Sequence, residues 1–374
     1  MIRLTFVGDI ALDKPLLKAA RNRGAGAFDF SDVFHTEDVF ADSDLVIGNL
    51  ETCFGGGNRF NKKPYHYNSP DGFCQAIKDA GIGLVSTANN HCIDEGVKGL
   101  VRTCAVLDEC GIEHTGTFAS DPDKRYLVKD FHGFRVAFYS LTYSVNASME
   151  SMACQDLFRY INLTGFRRRS KSRLAQFYAY VVRRKLRQVK SKLRGKSTIP
   201  ESTDHLALNT LNTAWMERIE REIKQAKAES DLLIVLLHSG GQFNVEPGEH
   251  SQYLAKKLCN FGADVIIGHH AHTIQRIEFR DGKLVAYCLG GFCMSVSGEY
   301  LVRKCLPEYS LALHLDIDQA ARTLSCSVDV LKGTEDGTGY LTVQKTDVTD
   351  KNYDTIGKRV GLGPHGKDQG CVAF

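Results

Sequence analysis

The sequence predicts an α/β protein, on three observations: short apolar runs of strand length, helix-spaced segments between them, and polar clusters where the runs end. A run of about four to eight apolar residues bounded by turn signals reads as a buried strand. Such runs fall at Arg3–Val7, Leu45–Asn49, Leu84–Thr87, Leu232–Leu237 and Asp264–Ile267. Helices are expected at Pro15–Arg23, Gly72–Ala80, Met216–Glu229 and Glu249–Phe261. Another follows Asp94, where Val97, Leu100, Val101, Cys104, Val106 and Leu107 recur at helical spacing. Asp94 then reads as the N-cap of that helix and, more sharply, as a partner that orients His91, two roles that are compatible. Further strands are expected at Tyr126–Asp130, Arg135–Leu141, Leu284–Leu289, Leu311–Ile317 and Leu324–Leu331. Alternation followed by antiparallel strands suggests two packed sheets flanked by helices.

The 374 residues allow one large α/β domain or two smaller ones. No uninterrupted apolar stretch approaches the roughly 18 residues that span a bilayer. The first apolar run begins within a few residues of Met1, which leaves no room for a signal peptide and favours the cytoplasm. The twelve cysteines are scattered without a Cys-x-x-Cys pair, so most are expected to act as small buried hydrophobes rather than as a disulfide framework. The final Cys371-Val372-Ala373-Phe374 matches a prenylation pattern in form only, with no basic run before it.

Side chains able to hold a metal cluster at the ends of the apolar runs. They are Gly8-Asp9, Asn49-Leu50-Glu51, Asn89-Asn90-His91, His238, and Gly268-His269-His270-Ala271-His272. In α/β folds, ligands are held beyond the carboxyl ends of strands. Gly-Asp or Asn-Leu-Glu alone says little, and a single His is usually a hydrogen-bonded loop residue. Three imidazoles in five residues have few structural uses, and neutral imidazole is a common metal ligand. The ordered set points to a metal centre.

These motifs, with Ala88, Asp94, Gly96 and His238-Ser239-Gly240, resemble the CapA family of capsule-synthesis proteins. That family is associated with poly-γ-glutamate capsules and is similar to the calcineurin-like metallophosphoesterases. The resemblance covers roughly residues 1–300, including Leu141–Asn146 and Cys288–Phe292. It implies a four-layer αββα sandwich, expected over residues 1–332; the Gly-rich remainder from Gly333, with strand-like Tyr340–Val343 inside it, reads as an extension whose end is expected to be partly disordered. It also implies hydrolysis of a phosphoester with two divalent ions, for which mixed oxygen and nitrogen ligands suit manganese, iron or zinc. Asp9 would hold the first ion, Glu51 would bridge, Asn90, His238 and His270 would hold the second, and His272 would return to the first. Either His269 or His270 could be the inner ligand. His91 would protonate the leaving group or stabilise the phosphoryl charge, and Asn49, His269 and Gln242 would face the substrate. Departures from the wider superfamily or the family are Ala11 for a His, Glu51 for an Asp, Gln242 for a Glu, Gly291 for an Asn and Ala271 for a Pro.

Residues 166–196 carry thirteen Lys and Arg with no Asp or Glu, so the remainder of the chain has 34 basic against 44 acidic residues. Leu174, Phe177, Tyr178, Val181, Val182, Leu186, Val189 and Leu193 give this stretch helical spacing, and it reads as a basic amphipathic helix within an insertion over about 160–205. Its plainer role is a solvated helix packed by its apolar face. Its sharper role is to meet an anionic substrate or polymer, or an acidic membrane face. Nucleic acid comes last, since no nucleic-acid motif accompanies the run. The alternative to an enzyme is thus a non-catalytic accessory protein that binds a polyanion or a membrane.

Overall fold

The strand Ile2–Ile10 lies inside the larger of the two main sheets and joins its two halves. On one side it pairs in parallel with Leu45–Leu50, followed by Ile82–Ser86 and Glu113–Thr115. On the other it pairs antiparallel with Tyr309–Asp318, followed by Thr323–Glu335 and Leu341–Lys345. The second sheet runs in the order Ile277–Arg280, Lys283–Ala286, Val265–His269, Leu232–His238, Phe134–Thr142 and Leu127–Phe131. Its four inner strands are parallel. This computed structural model describes residues 1–57, 60–61, 66–146, 154–167, 204, 209–298, 301–361 and 372–373.

Continuous apolar runs arise here because the inner strands are covered on both faces. Leu232, Ile234 and Leu236 point to a core shared with Leu4, Phe6, Leu313 and Leu315 of the other sheet. Leu233, Val235 and Leu237 point the other way, against Ile219 and Ile223 of helix Thr213–Ala228 and Leu254 and Leu258 of helix Glu249–Phe261. On the outer face of the larger sheet, Val46, Ile82 and Val85 pack with Leu16, Phe73, Ile77 and Leu107 from helices Lys14–Arg23, Gly72–Asp79 and Gly96–Cys110. The layers are therefore helix, sheet, sheet, helix. This is the αββα sandwich that the resemblance implies.

Several boundaries move. The strand expected over Leu284–Leu289 ends at Ala286. Beyond it the chain crosses between the sheets, and Gly291–Cys293 pairs with the first strand. The boundary expected after residue 332 falls inside Thr323–Glu335, and Leu341–Lys345 continues the same sheet. Helix Tyr353–Val360 then places Ile356 and Val360 in the core between the sheets. Asp94 is not the N-cap of its helix: Glu95 holds that position, and the Asp94 carboxylate is turned to His91 instead. The basic stretch 166–196 lies outside the described residues, except for the end of the strand Gly165–Arg167. The ten cysteines whose side chains are described are free. Among the described residues, no helix is long and apolar enough to cross a membrane.

Helix Glu249–Phe261 begins at Gly248, which has no side chain to satisfy the first backbone N–H groups. Asp204, buried and distant in sequence, supplies the cap. Its Oδ2 accepts from Gly248 N at 2.7 Å and its Oδ1 from Ser251 N at 2.9 Å. Asp204→Ala leaves both donors unpaired and is expected to cost about 1–3 kcal/mol in urea unfolding. Asp204→Asn, which keeps one acceptor oxygen, is expected to cost less; equal losses would mean that the cap is not what stabilises this end.

Candidate metal centre

Two glycines let the strand ends close on each other. A Cβ on Gly8 would lie 2.0 Å from Gly290 O, and one on Gly268 would lie 2.0 Å from Tyr287 O. Both strands thus pack directly against the segment that crosses between the sheets. That close approach brings Asp9, at the end of the first strand, beside the histidine run that follows Val265–Ile267. The backbone at His270 and His272 has φ of 93° and 51°, the left-handed region that non-glycine residues rarely occupy. Such strain persists only where the surroundings fix it, and it concentrates at functional sites.

Asp9 and Glu51 are both 0 % exposed. Asp9 is well supported: Oδ1 accepts from Asn49 Nδ2 at 2.8 Å, and Oδ2 accepts from His270 N at 3.2 Å and lies 2.9 Å from His272 Nδ1. Burial acts to raise the Asp9 carboxyl, but contacts with His269 and His272 hold it well below the usual carboxylate range. Glu51 is the opposite case. Neither of its oxygens has a hydrogen-bond partner. Burial first, then repulsion by Asp9 and Asp94, pushes its carboxyl well above the usual range. A buried carboxylate without a partner is strongly unfavourable, and a cation is the partner that removes the penalty.

Imidazoles ring Glu51 Oε1. His238 Nε2 lies 3.6 Å away, His272 Nε2 3.7 Å and His91 Nε2 3.9 Å. His238 Nε2 is also 2.6 Å from Asn90 Oδ1 and 3.0 Å from His270 Nδ1. Burial and the neighbouring His270 hold the His238 ring well below its usual pKa, so it is neutral and its lone pair can bind a metal. The ligand atoms of Glu51, His238 and His270 all lie within 4.8 Å of one another, as do those of Asp9, Glu51 and His272. Bonds of about 2.0–2.2 Å to one ion put its ligand atoms roughly 3–4.4 Å apart. The donors present therefore fit a metal ion in either group, and Glu51 belongs to both.

The remaining residues expected at the site take distinct places. His91 Nδ1 is 2.6 Å from Asp94 Oδ2, which also accepts from Tyr67 N at 2.7 Å, so the ring is held with Nε2 toward Glu51. Asn49 is fully buried and bonds to Asp9. His269 closes the strand Val265–His269, with Nδ1 3.5 Å from Asp9 Oδ1, and stands in neither ligand group. Gln242 is exposed, with Nε2 3.4 Å from His272 Nε2. Sequence reading assigned no role to Tyr143 and Asn146, yet both reach the centre. Tyr143 Oη is 3.2 Å from His270 Nε2, and Asn146 Nδ2 is 3.3 Å from His91 Nε2. The signal was available: both follow Phe134–Thr142, the strand paired in parallel with that of His238.

The family described as bacterial capsule synthesis protein PGA_cap matches residues 3–295. The chain belongs to this family. It is 24% identical over 315 residues to capsule biosynthesis protein CapA of Bacillus anthracis. It is 22% identical over 316 residues to PGA biosynthesis protein CapA of Bacillus subtilis. Each match takes in 83% of this chain, and 64% and 68% of the respective relative, so the chain spans about two thirds of their length. Among solved structures, a hypothetical protein from Thermus thermophilus is similar at a TM-score of 0.44 and 16% identity, over 88% of this chain and 98% of that one. Family membership covers every element that contributes to the metal centre, from Asp9 to His272.

An ion bound only by the folded state raises stability by about 2.7 kcal/mol at a concentration of 100 Kd. Manganese, iron(II) or zinc is expected to raise the Tm of the metal-free protein. Glu51→Gln should abolish that rise without lowering the metal-free Tm, because the amide removes an uncompensated buried carboxyl. A Glu51→Gln protein that is still stabilised by metal would contradict the reading of Glu51.

Proposed function

We propose that this member of the capsule synthesis family is a metal-dependent phosphoester hydrolase serving capsule or poly-γ-glutamate synthesis. The observation that carries the reading is the Glu51 carboxylate, buried without a hydrogen bond and common to two ligand groups. Two divalent ions there would act as Lewis acids on a phosphoryl group and lower the pKa of a bound water toward about 7. Asp9 and His272 would hold one ion, Asn90, His238 and His270 the other, and Glu51 would serve both. Asn49 keeps Asp9 aimed inward through its amide bond. Asp94 takes the Nδ1–H hydrogen bond of His91 and would stabilise its imidazolium form, whose Nε2–H would pass its proton to the leaving oxygen and leave the neutral Nδ1–H ring. Gln242 and His269 border the His272 and Asp9 side of the centre, where an anionic substrate is received.

The thirteen basic residues of 166–196 supply the complementary charge for such a substrate, or for an acidic membrane surface. The same charge supports a second reading, an accessory protein that binds polyglutamate without turnover. Poly-γ-glutamate binding that survives metal removal but vanishes on deleting 166–196 favours that reading, whereas binding that needs the metal counts against it.

Turnover of a panel of phosphomonoesters and phosphodiesters is expected only with added divalent ion. The Asn90→Ala/His272→Ala double variant should lose both metal and turnover. His91→Asn should keep its metal while kcat falls by about 10²–10⁴. Full metal occupancy with no turnover across the panel would overturn the hydrolase reading.

A further inference from the structure

Tyr143 is bonded to both histidines of one ligand group by different parts of itself. Its backbone N donates to His238 O at 3.1 Å, which fixes it to the strand Leu232–His238. Its hydroxyl lies 3.2 Å from His270 Nε2, and the two rings are 5.3 Å apart at 53°. The residue is 5 % exposed, so the contact is made away from bulk water. His270 needs such a hold. Its backbone φ of 93° is a conformation that L side chains rarely adopt, so the peptide alone does not settle where the ring points. The other ring nitrogen, Nδ1, faces the centre, 3.0 Å from His238 Nε2.

We propose that Tyr143 is a positioning residue for the Glu51–His238–His270 group, accepting the Nε2 proton of His270 and thereby holding Nδ1 as a lone pair toward the ion. A metal-bound imidazole generally donates its second ring N–H to an outer partner, which fixes both tautomer and ring orientation. In the other group His272 turns its Nδ1 to Asp9 instead, 2.9 Å away, so the hold of Tyr143 on His270 acts on one group. Tyr143→Phe keeps the ring and removes the hydroxyl that meets His270. This inference rests on the metal reading above and deepens it, by making the two ion positions unequally dependent on one residue.

The test is a titration of metal-free protein with cobalt(II), followed by visible absorption and by calorimetry. Wild type is expected to take up two equivalents. Tyr143→Phe should bind one equivalent unchanged and the other about 10–100-fold more weakly, with an altered cobalt d–d spectrum. Its metal-free Tm should match wild type. Unchanged binding, or equal weakening of both equivalents, would overturn the role of Tyr143 while leaving the metal reading intact. No cobalt uptake by wild type would overturn both. A second measurement needs no variant: long-range ¹⁵N–¹H spectra of the zinc-loaded wild type should show His270 with its proton on Nε2. An Nδ1–H tautomer would contradict the proposal.

Discussion

Asp9 and Glu51 place two carboxylates in one fully buried space, and only Asp9 is given hydrogen-bond donors. That imbalance organises the centre. A structural pair of acids would be expected to share donors or a cationic side chain, since an unpartnered buried charge is costly. Among the described residues no Lys or Arg stands against Glu51, and the groups around it are the imidazoles of His91, His238 and His272 and the Asp9 carboxylate. The neighbours can offer lone pairs, and a cation could complete them. Within the capsule synthesis family, this arrangement is consistent with a centre built for metal rather than with a polar core.

The fold makes this concentration of acids and imidazoles possible by directing strand ends from two sheets to one edge. Ile2–Ile10, Leu45–Leu50 and Ile82–Ser86 are parallel and run toward the same end of the larger sheet. Leu232–His238 and Val265–His269 do the same in the smaller one. The apolar core between the sheets holds their spacing, and Gly8 and Gly268 remove the side chains that would keep the ends from the crossing segment. Outer contacts then set the rings: Asp94 for His91, Asn49 for Asp9, and Tyr143 for His270. His91, Asp9 and His270 are thus each held by a neighbour, and Glu51 is not.

Much of this was legible in the chain. The strands that carry the centre are buried on both faces, so their apolar runs stand out, and the polar clusters mark where each run ends. Helix Glu249–Phe261 is bounded in the structure as its periodicity indicates. Less was legible where long-range packing decides the outcome. The stretch after Ala286 is apolar enough to read as more strand, but it leaves the second sheet because Gly291–Cys293 pairs with the first strand. Asp94 was legible as the partner of His91, whose ring lies 2.6 Å from its carboxylate, but the N-cap position falls to Glu95. The capping role of Asp204 has no local signature at all, since its helix starts more than forty residues later. Tyr143 reads as an ordinary strand-end aromatic until the neighbouring strand brings His238 beside it.

The central claim is that one carboxylate serves two cation positions, and its most direct test is electron paramagnetic resonance of the manganese(II)-loaded protein. Two ions about 3.5–4 Å apart, clamped by a common carboxylate, should give an exchange-coupled spectrum that appears only as the second equivalent is added. Two equivalents that remain uncoupled, or a single mononuclear signal at saturation, would contradict the account.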